Sequence, residues 1–318
     1  MIRALVSLCL SALLAACATA TPPPSDKRIA LTFDDVPRAP GAFLDVEERP
    51  AIFRRELRAA GVEQAAFFVN PGKYAEYPER IDELIAYIAD GHVVANHTNT
   101  HPSLRDLTVE QYLAEIDGAE AWLAQLPNYR PWFRYPFLHE GRADKDKRDG
   151  VRSGLAQRGL ANGYVTIDAS DWFYEGAAIE ARRAGLEIDM DALRDLYVES
   201  HVEAANFNDA LARRALGDPV AHVLLLHETD LAALYIGDLV AALRADGWTI
   251  VTADEAYADP FAAYAATYDT PSAQGTLTEQ VAWQAGIPAP RWYARNDIGL
   301  ARAEFERRVL HRDPEGAE

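Results

Sequence analysis

Apolar residues recur along this chain in two rhythms. Short runs rich in β-branched and aromatic residues lie at 29–33, 65–69, 92–95, 132–134, 164–167, 222–226 and 248–251, which predicts seven strands. Longer stretches with helical spacing separate several of them. These run over 49–60 (closed by Gly61), 79–89 (before Gly91), 108–125 (opened by Thr108 as N-cap, with Pro127 beyond) and 231–245 (before Gly247). Strands alternating with helices predict parallel βαβ units. Seven such strands predict an α/β barrel, closed or nearly closed, with a doubly wound open sheet as the alternative topology. Two stretches break the rhythm. Residues 176–217 are charged and helical and read as an insertion between two strands. Residues 256–318 carry Trp283, Trp292 and Tyr293 and read as a helical extension packed on the barrel.

Composition narrows what such a fold does. The 318 residues hold 31 Lys and Arg against 49 Asp and Glu, a net charge of −18. That balance excludes nucleic acid as a partner, because phosphates demand a basic face. Both cysteines, Cys9 and Cys17, lie near the start, so the body has neither a disulfide framework nor a thiolate metal site. Arg3 followed by an apolar run through Ala16 has the form of a secretory signal, too short to stay as a membrane span of about 20 residues. Leu14-Ala15-Ala16-Cys17 resembles the lipobox of bacterial lipoproteins, which implies a signal peptide over 1–16, a lipidated Cys17 and membrane attachment through it. Ordinary cleavage after Ala20 is the alternative. The proline-rich start of 17–27 reads as a tether, 28–255 as the barrel. Either cleavage places the protein in the cell envelope, facing the periplasm or the exterior.

The polar residues are placed unevenly. Asp34 and Asp35 end the first predicted strand, and Asn96 to His101 follow the third. Arg134, Tyr135 and Phe137 close the fourth, Asp168 to Trp172 the fifth, and His227 and Glu228 the sixth. In a parallel barrel all C-terminal strand ends share one face, and that face carries the active site. His97 and His101 are four apart; Pro102 disfavours a helical His101, which predicts a loop-borne pair. Two imidazoles and a carboxylate form a divalent-metal ligand set with open positions. Asp34 and Asp35 point apart in extended chain and so suit two jobs, one on a metal and one beside it, although an Asx turn before Pro37 also accounts for them.

At this point the chain resembles the NodB-homology polysaccharide deacetylases, carbohydrate esterase family 4. Thr32-Phe33-Asp34-Asp35, His97 to His101, Arg134-Tyr135-Pro136-Phe137, Asp168 to Trp172 and Leu225-Leu226-His227 resemble that family's five motifs, in family order. The resemblance implies a distorted (β/α)7-type barrel and a deacetylase that removes an acetyl group, usually N-acetyl, from a polysaccharide or oligosaccharide. It implies Asp35, His97 and His101 as ligands of a divalent metal, zinc first and cobalt or nickel as alternatives. Asp34 becomes the base and His227 the acid. Arg134 pairs with Asp34, and Asp168 orients His227, with Asp171 as the other candidate for that task. Tyr135, Phe137, Trp172 and Asp171 are expected at the acetylated glycan, and the Phe137 N–H at the oxyanion. Val36, Leu138 and Glu228 depart from the family pattern, Val36 and Leu138 where glycine would allow close backbone approach in the groove, and none removes a metal ligand or the acid. The competing readings are a hydrolase of another small amide and a lipid-anchored, non-catalytic glycan-binding protein. The intact ligand set speaks against the first, and the acid–base pair against the second.

Overall fold

The computed structural model describes residues 26–45 and 47–312; the signal segment, Cys17 and most of the tether lie outside the described residues. Among the described residues no helix is long and apolar enough to cross a membrane. The strands are β1 (Arg28–Val36), β2 (Ala66–Val69), β3 (Val93–Asn96), β4 (Tyr129–Phe133), β5 (His139–Arg142), β6 (Ala161–Asn162), β7 (Ala221–His227), β8 (Thr249–Ile250) and β9 (Ala273–Gln274). The helices are α1 (Glu48–Ala59), α2 (Ile81–Ala89), α3 (Val109–Leu123), α4 (Lys145–Gln157), α5 (Asp171–Arg183), α6 (Met190–Leu216), α7 (Asp230–Ala245), α8 (Ala253–Tyr257), α9 (Ala262–Ala265), α10 (Leu277–Gln284) and α11 (Ile298–Arg308).

Six strands form one parallel sheet in the order β6-β4-β3-β2-β1-β7, and β8 pairs with the start of β1. The predicted strand over 164–167 is replaced by something more economical. β6 pairs with β4, and a few residues later Ile167 bridges to Leu224 of β7. One short segment thus spans the gap between the two sheet edges, which curls the sheet into a distorted barrel. This is the α/β architecture expected from the strand count.

The core follows from the sequence pattern. Buried Phe33 of β1 and Phe67 of β2 stack at 5.3 Å, and Phe53 of α1 and Tyr87 of α2 close over them at 4.7 Å from Phe33 and 4.4 Å from Phe67 respectively. Thr108 caps α3 and exchanges a reciprocal capping box with Gln111, as its position predicted. The helical stretch expected as an insertion is mostly α5 and α6. It is not an appendage: Leu193, Leu196, Tyr197, Ala204 and Ala205 of α6 are fully buried in the main core. The C-terminal extension also contains β9, which pairs antiparallel with β5. Neither strand was expected, because both are very short and neither has an alternating or β-branched pattern.

Phe67→Ala opens a cavity under the β1–β2 pair and is expected to lower stability by about 3–5 kcal/mol. A fall in the urea midpoint with an unchanged slope checks it.

Candidate active site and metal centre

The C-terminal ends of β1, β3, β4 and β7 and the turn before α5 converge, and the predicted polar residues converge with them. His101 Nε2 lies 3.0 Å from Asp35 Oδ1, and His97 Nε2 lies 3.8 Å from the same oxygen and 3.6 Å from Asp34 Oδ2. One donor atom from each of Asp35, His97 and His101 falls within 4.8 Å of the others. His101 has a φ of 64°, the loop conformation that Pro102 implied. His97 Nδ1 sits 2.8 Å from the Arg134 carbonyl, which can only accept, so Nδ1 carries the proton and Nε2 presents its lone pair to the cluster. Burial holds both imidazoles down at about 3, hence neutral and able to ligate.

Burial alone would raise the Asp35 carboxyl, but His101, Lys73, His227 and Arg38 outweigh it and hold the group well below the carboxylate range. Asp35 Oδ1 is buried and accepts no hydrogen bond. A buried carboxylate oxygen with no hydrogen bond, facing the Nε2 atoms of two imidazoles, is the donor set a divalent cation requires. The residues therefore fit the metal that the motifs implied.

Asp34 stands beside this cluster. Arg134 Nη1 reaches Asp34 Oδ1 at 2.5 Å and Thr32 Oγ1 at 2.8 Å. Burial raises the Asp34 carboxyl overall, against the pull of Arg134, so Arg134 orients this group and only partly offsets its desolvation. Asp34 is also the register partner of His227 across β1 and β7, so the two side chains leave neighbouring strand ends.

The expectation that Asp168 orients His227 is not met. Asp171 does so: its Oδ1 lies 2.7 Å from His227 Nδ1, and its Oδ2 accepts the His227 backbone N–H at 2.7 Å. Burial disfavours the charged ring, but Asp171 wins and raises His227 above its ordinary value. Asp168 instead caps its own turn by accepting the Ser170 N–H at 2.7 Å, and burial pushes it up to about 6. The reason is local: α5 begins at Asp171, one turn past Asp168, and that step aims Asp171 at β7.

Two of the expected glycan contacts differ. Tyr135 is 2% exposed and packs with Tyr112 and Phe133, so it belongs to the core. Asp171 is buried behind His227 and away from solvent. Phe137 is 58% exposed with its ring 4.7 Å from that of His101, and Trp172 is 43% exposed; both remain open to a ligand. Glu228 is buried beneath the site, held by Arg80 Nη2 at 2.9 and 3.0 Å and by Tyr87 Oη at 3.0 Å. Two tail residues were missed by sequence reasoning. Tyr257 Oη accepts from Arg134 Nη2 at 2.7 Å, and Asn296 bonds the Asp168 carbonyl at 3.0 Å and Ser170 Oγ at 3.1 Å. No motif marks either residue, and only the folded tail brings them here.

A polysaccharide deacetylase family model matches residues 21–153, the stretch that carries Asp34, Asp35, His97, His101 and Arg134. A chitooligosaccharide deacetylase of Rhizobium leguminosarum bv. trifolii is 31% identical over 169 residues, 50% of this chain and 69% of that protein. The chain belongs to the polysaccharide deacetylase family. Other members of the family align over less of their length. A peptidoglycan-N-acetylglucosamine deacetylase of Bacillus cereus is 34% identical over 115 residues, and the peptidoglycan-N-acetylmuramic acid deacetylase PdaC of Bacillus subtilis is 32% identical over 150 residues. The chain spans 37% and 27% of those two proteins. Among solved structures, a polysaccharide deacetylase of Bacillus cereus shares the fold, with a TM-score of 0.50 at 20% identity over 71% of this chain and 91% of that one.

For this family member, His97→Ala and Asp35→Asn are expected to lose the bound divalent ion. Asp34→Asn is expected to keep one equivalent, as read by elemental analysis of the purified proteins.

Proposed function

We propose that this chain is a metal-dependent deacetylase that hydrolyses the N-acetyl group of an envelope polysaccharide or oligosaccharide. One observation carries the reading: a carboxylate and a histidine, Asp34 and His227, sit as register partners on adjacent strands beside a carboxylate–imidazole cluster. The acetylated amino sugars named for the relatives agree with an N-acetyl substrate. Zinc is the metal this ligand set takes first, with cobalt and nickel also suited to it. A lipidated Cys17 would hold the enzyme at the envelope, facing the periplasm or the exterior.

A divalent ion held by Asp35, His97 and His101 would supply Lewis acidity, acidifying water and polarising the acetyl carbonyl. The chain's own residues do the rest. Asp34 accepts a proton from the attacking water, and Arg134 keeps that carboxylate aimed. Asp171 occupies His227 Nδ1, so the proton for the leaving amine is given from Nε2. Water adds to the acetyl carbon, the C–N bond breaks, and acetate and a free amine leave. The Phe137 N–H, in a turn with φ 58° beside His101, is the donor assigned to the developing oxyanion.

Acetate release from peptidoglycan, chitin-type oligomers, exopolysaccharide and O-acetylated xylan tests the reading. Activity on an N-acetylated glycan is expected, and metal-loaded protein inactive on all four would refute it. Asp34→Asn is expected to lower kcat by about 10²–10⁴-fold with metal retained.

The pH profile follows from His227. As the acid it must be protonated, so activity falls as pH rises through its pKa, which lies above the ordinary value of about 6.5. Removing the Asp171 charge lowers that pKa. Asp171→Asn is therefore expected to move the alkaline limb of kcat/KM to lower pH, and an unmoved limb would count against His227 as the acid.

A further inference from the structure

A second feature opens on the same face. A pocket of about 430 Å³ lies between the turn at 37–39 and the short helical turn Pro71–Ala75, lined by Arg38, Gly72, Lys73, Glu76, Tyr77 and Thr100. It adjoins the metal cluster. Arg38 Nη1 is 2.6 Å from Asp35 Oδ2, and Lys73 Nζ is 3.6 Å from Asp35 Oδ1.

Both cations are held from behind. The Arg38 N–H donates to Glu228 Oε2 at 3.3 Å, and its carbonyl accepts from Arg49 at 3.2 Å and from Arg80. The Glu228 carboxylate reaches the Arg38 N–H, Arg80 and Tyr87 together. Lys73 rides on a turn pressed against the loop that carries His101. The Gly72 N–H donates to the Asn99 carbonyl at 2.9 Å, and a Cβ on Gly72 would come within 2.7 Å of that oxygen. Both positions are therefore preorganised.

Charge balance gives the pocket its purpose. Arg134 answers the charge of Asp34, and a divalent ion held by the cluster would answer that of Asp35. With that ion bound, Arg38 and Lys73 would be in surplus, with the exposed Glu76 as the acid in the lining. Arg38 uses Nη1 on Asp35, while its Nε and Nη2 make no hydrogen bond among the described residues. A local positive pocket on a chain of net charge −18 is a focused field and calls for an anion.

We propose that Arg38 and Lys73 form an anion-binding subsite that takes a carboxylate or phosphate substituent of the sugar whose acetyl group is cleaved. The inference rests on the deacetylase reading and gives its substrate class: acidic acetylated glycans. Arg38 offers the planar fork that matches a carboxylate or a phosphate, and Lys73 adds a point charge.

The test compares kcat/KM of the metal-loaded full chain on matched oligomers. One is built of N-acetylglucosamine, one carries the lactyl carboxylate of N-acetylmuramic acid, and one carries a phosphate ester. At least one acidic oligomer is expected to be preferred by about tenfold or more, through KM. Which one is preferred names the anion. Arg38→Gln and Lys73→Gln are expected to abolish the preference while metal content is retained. Equal use of neutral and acidic oligomers by the wild type, or a parallel loss on all of them in the variants, overturns the proposal. Calorimetry on metal-loaded Asp34→Asn separates this from failure of the deacetylase reading. N-acetylmuramic acid binding more tightly than N-acetylglucosamine, with the difference lost in Arg38→Gln, supports the subsite even if no glycan releases acetate. Equal binding of the two sugars, together with no preference for the phosphate ester, overturns it.

Discussion

The rest of this structure depends on one buried charge. Arg134 leaves the end of β4, lies fully inside the barrel and spends its guanidinium on several separate pieces of chain. It bonds Thr32 and Asp34 of β1, the Gly163 carbonyl in the segment that joins the sheet edges, and Tyr257 of the tail, with its flat face 3.8 Å over Phe68. A guanidinium taken out of water is tolerable only if paired and fully bonded, and breaking such a pair by removing one partner costs about 3–5 kcal/mol. Closing the barrel around Arg134 is therefore favoured by Asp34, and an Asn at this position would keep an acceptor oxygen for Arg134 while losing the charge. The residue that performs the proposed proton transfer is also the counter-ion that permits the interior.

A second constraint follows at the strand ends. Asp35, Thr98, His101, Phe137, Leu138 and Ser170 all have positive φ, and all lie on the face that carries the metal cluster. Non-glycine residues adopt this region at a cost, and the surroundings must over-determine it. Here the determinants are visible. Thr98 accepts the His101 N–H at 3.0 Å, the Asn96 side chain accepts the Thr98 N–H at 2.8 Å, and Asp168 holds Ser170. Sharp turns of this kind re-aim side chains at the strand ends, which regular strand or helix geometry would not do.

Much of this was legible in the sequence because strand ends are marked by their residues. Apolar runs stopping abruptly at Asp34, His97, Arg134 and His227 carry both the fold class and the common face. Other features depend on distances that no spacing encodes. Asp168 and Asp171 are chemically identical neighbours, and only the start of α5 decides which one meets His227. Tyr135 sits beside an exposed Phe137, and the turn between them sends one ring into the core and the other outward. Arg38 and Lys73 belong to loops 35 residues apart that meet at the Asp35 carboxylate. The strand expected over 164–167 shrank to a bridge because its job is to span a gap, not to extend a sheet.

The tail contact at Asn296 bears on the order of events in folding. Asn296 ties down the Asp168 to Ser170 turn, and that turn sets the start of the helix whose first residue holds His227. All five motifs precede residue 296 in the chain. The reactive groups can therefore gather while the turn behind His227 is still unanchored, and that turn is fixed only once the tail docks.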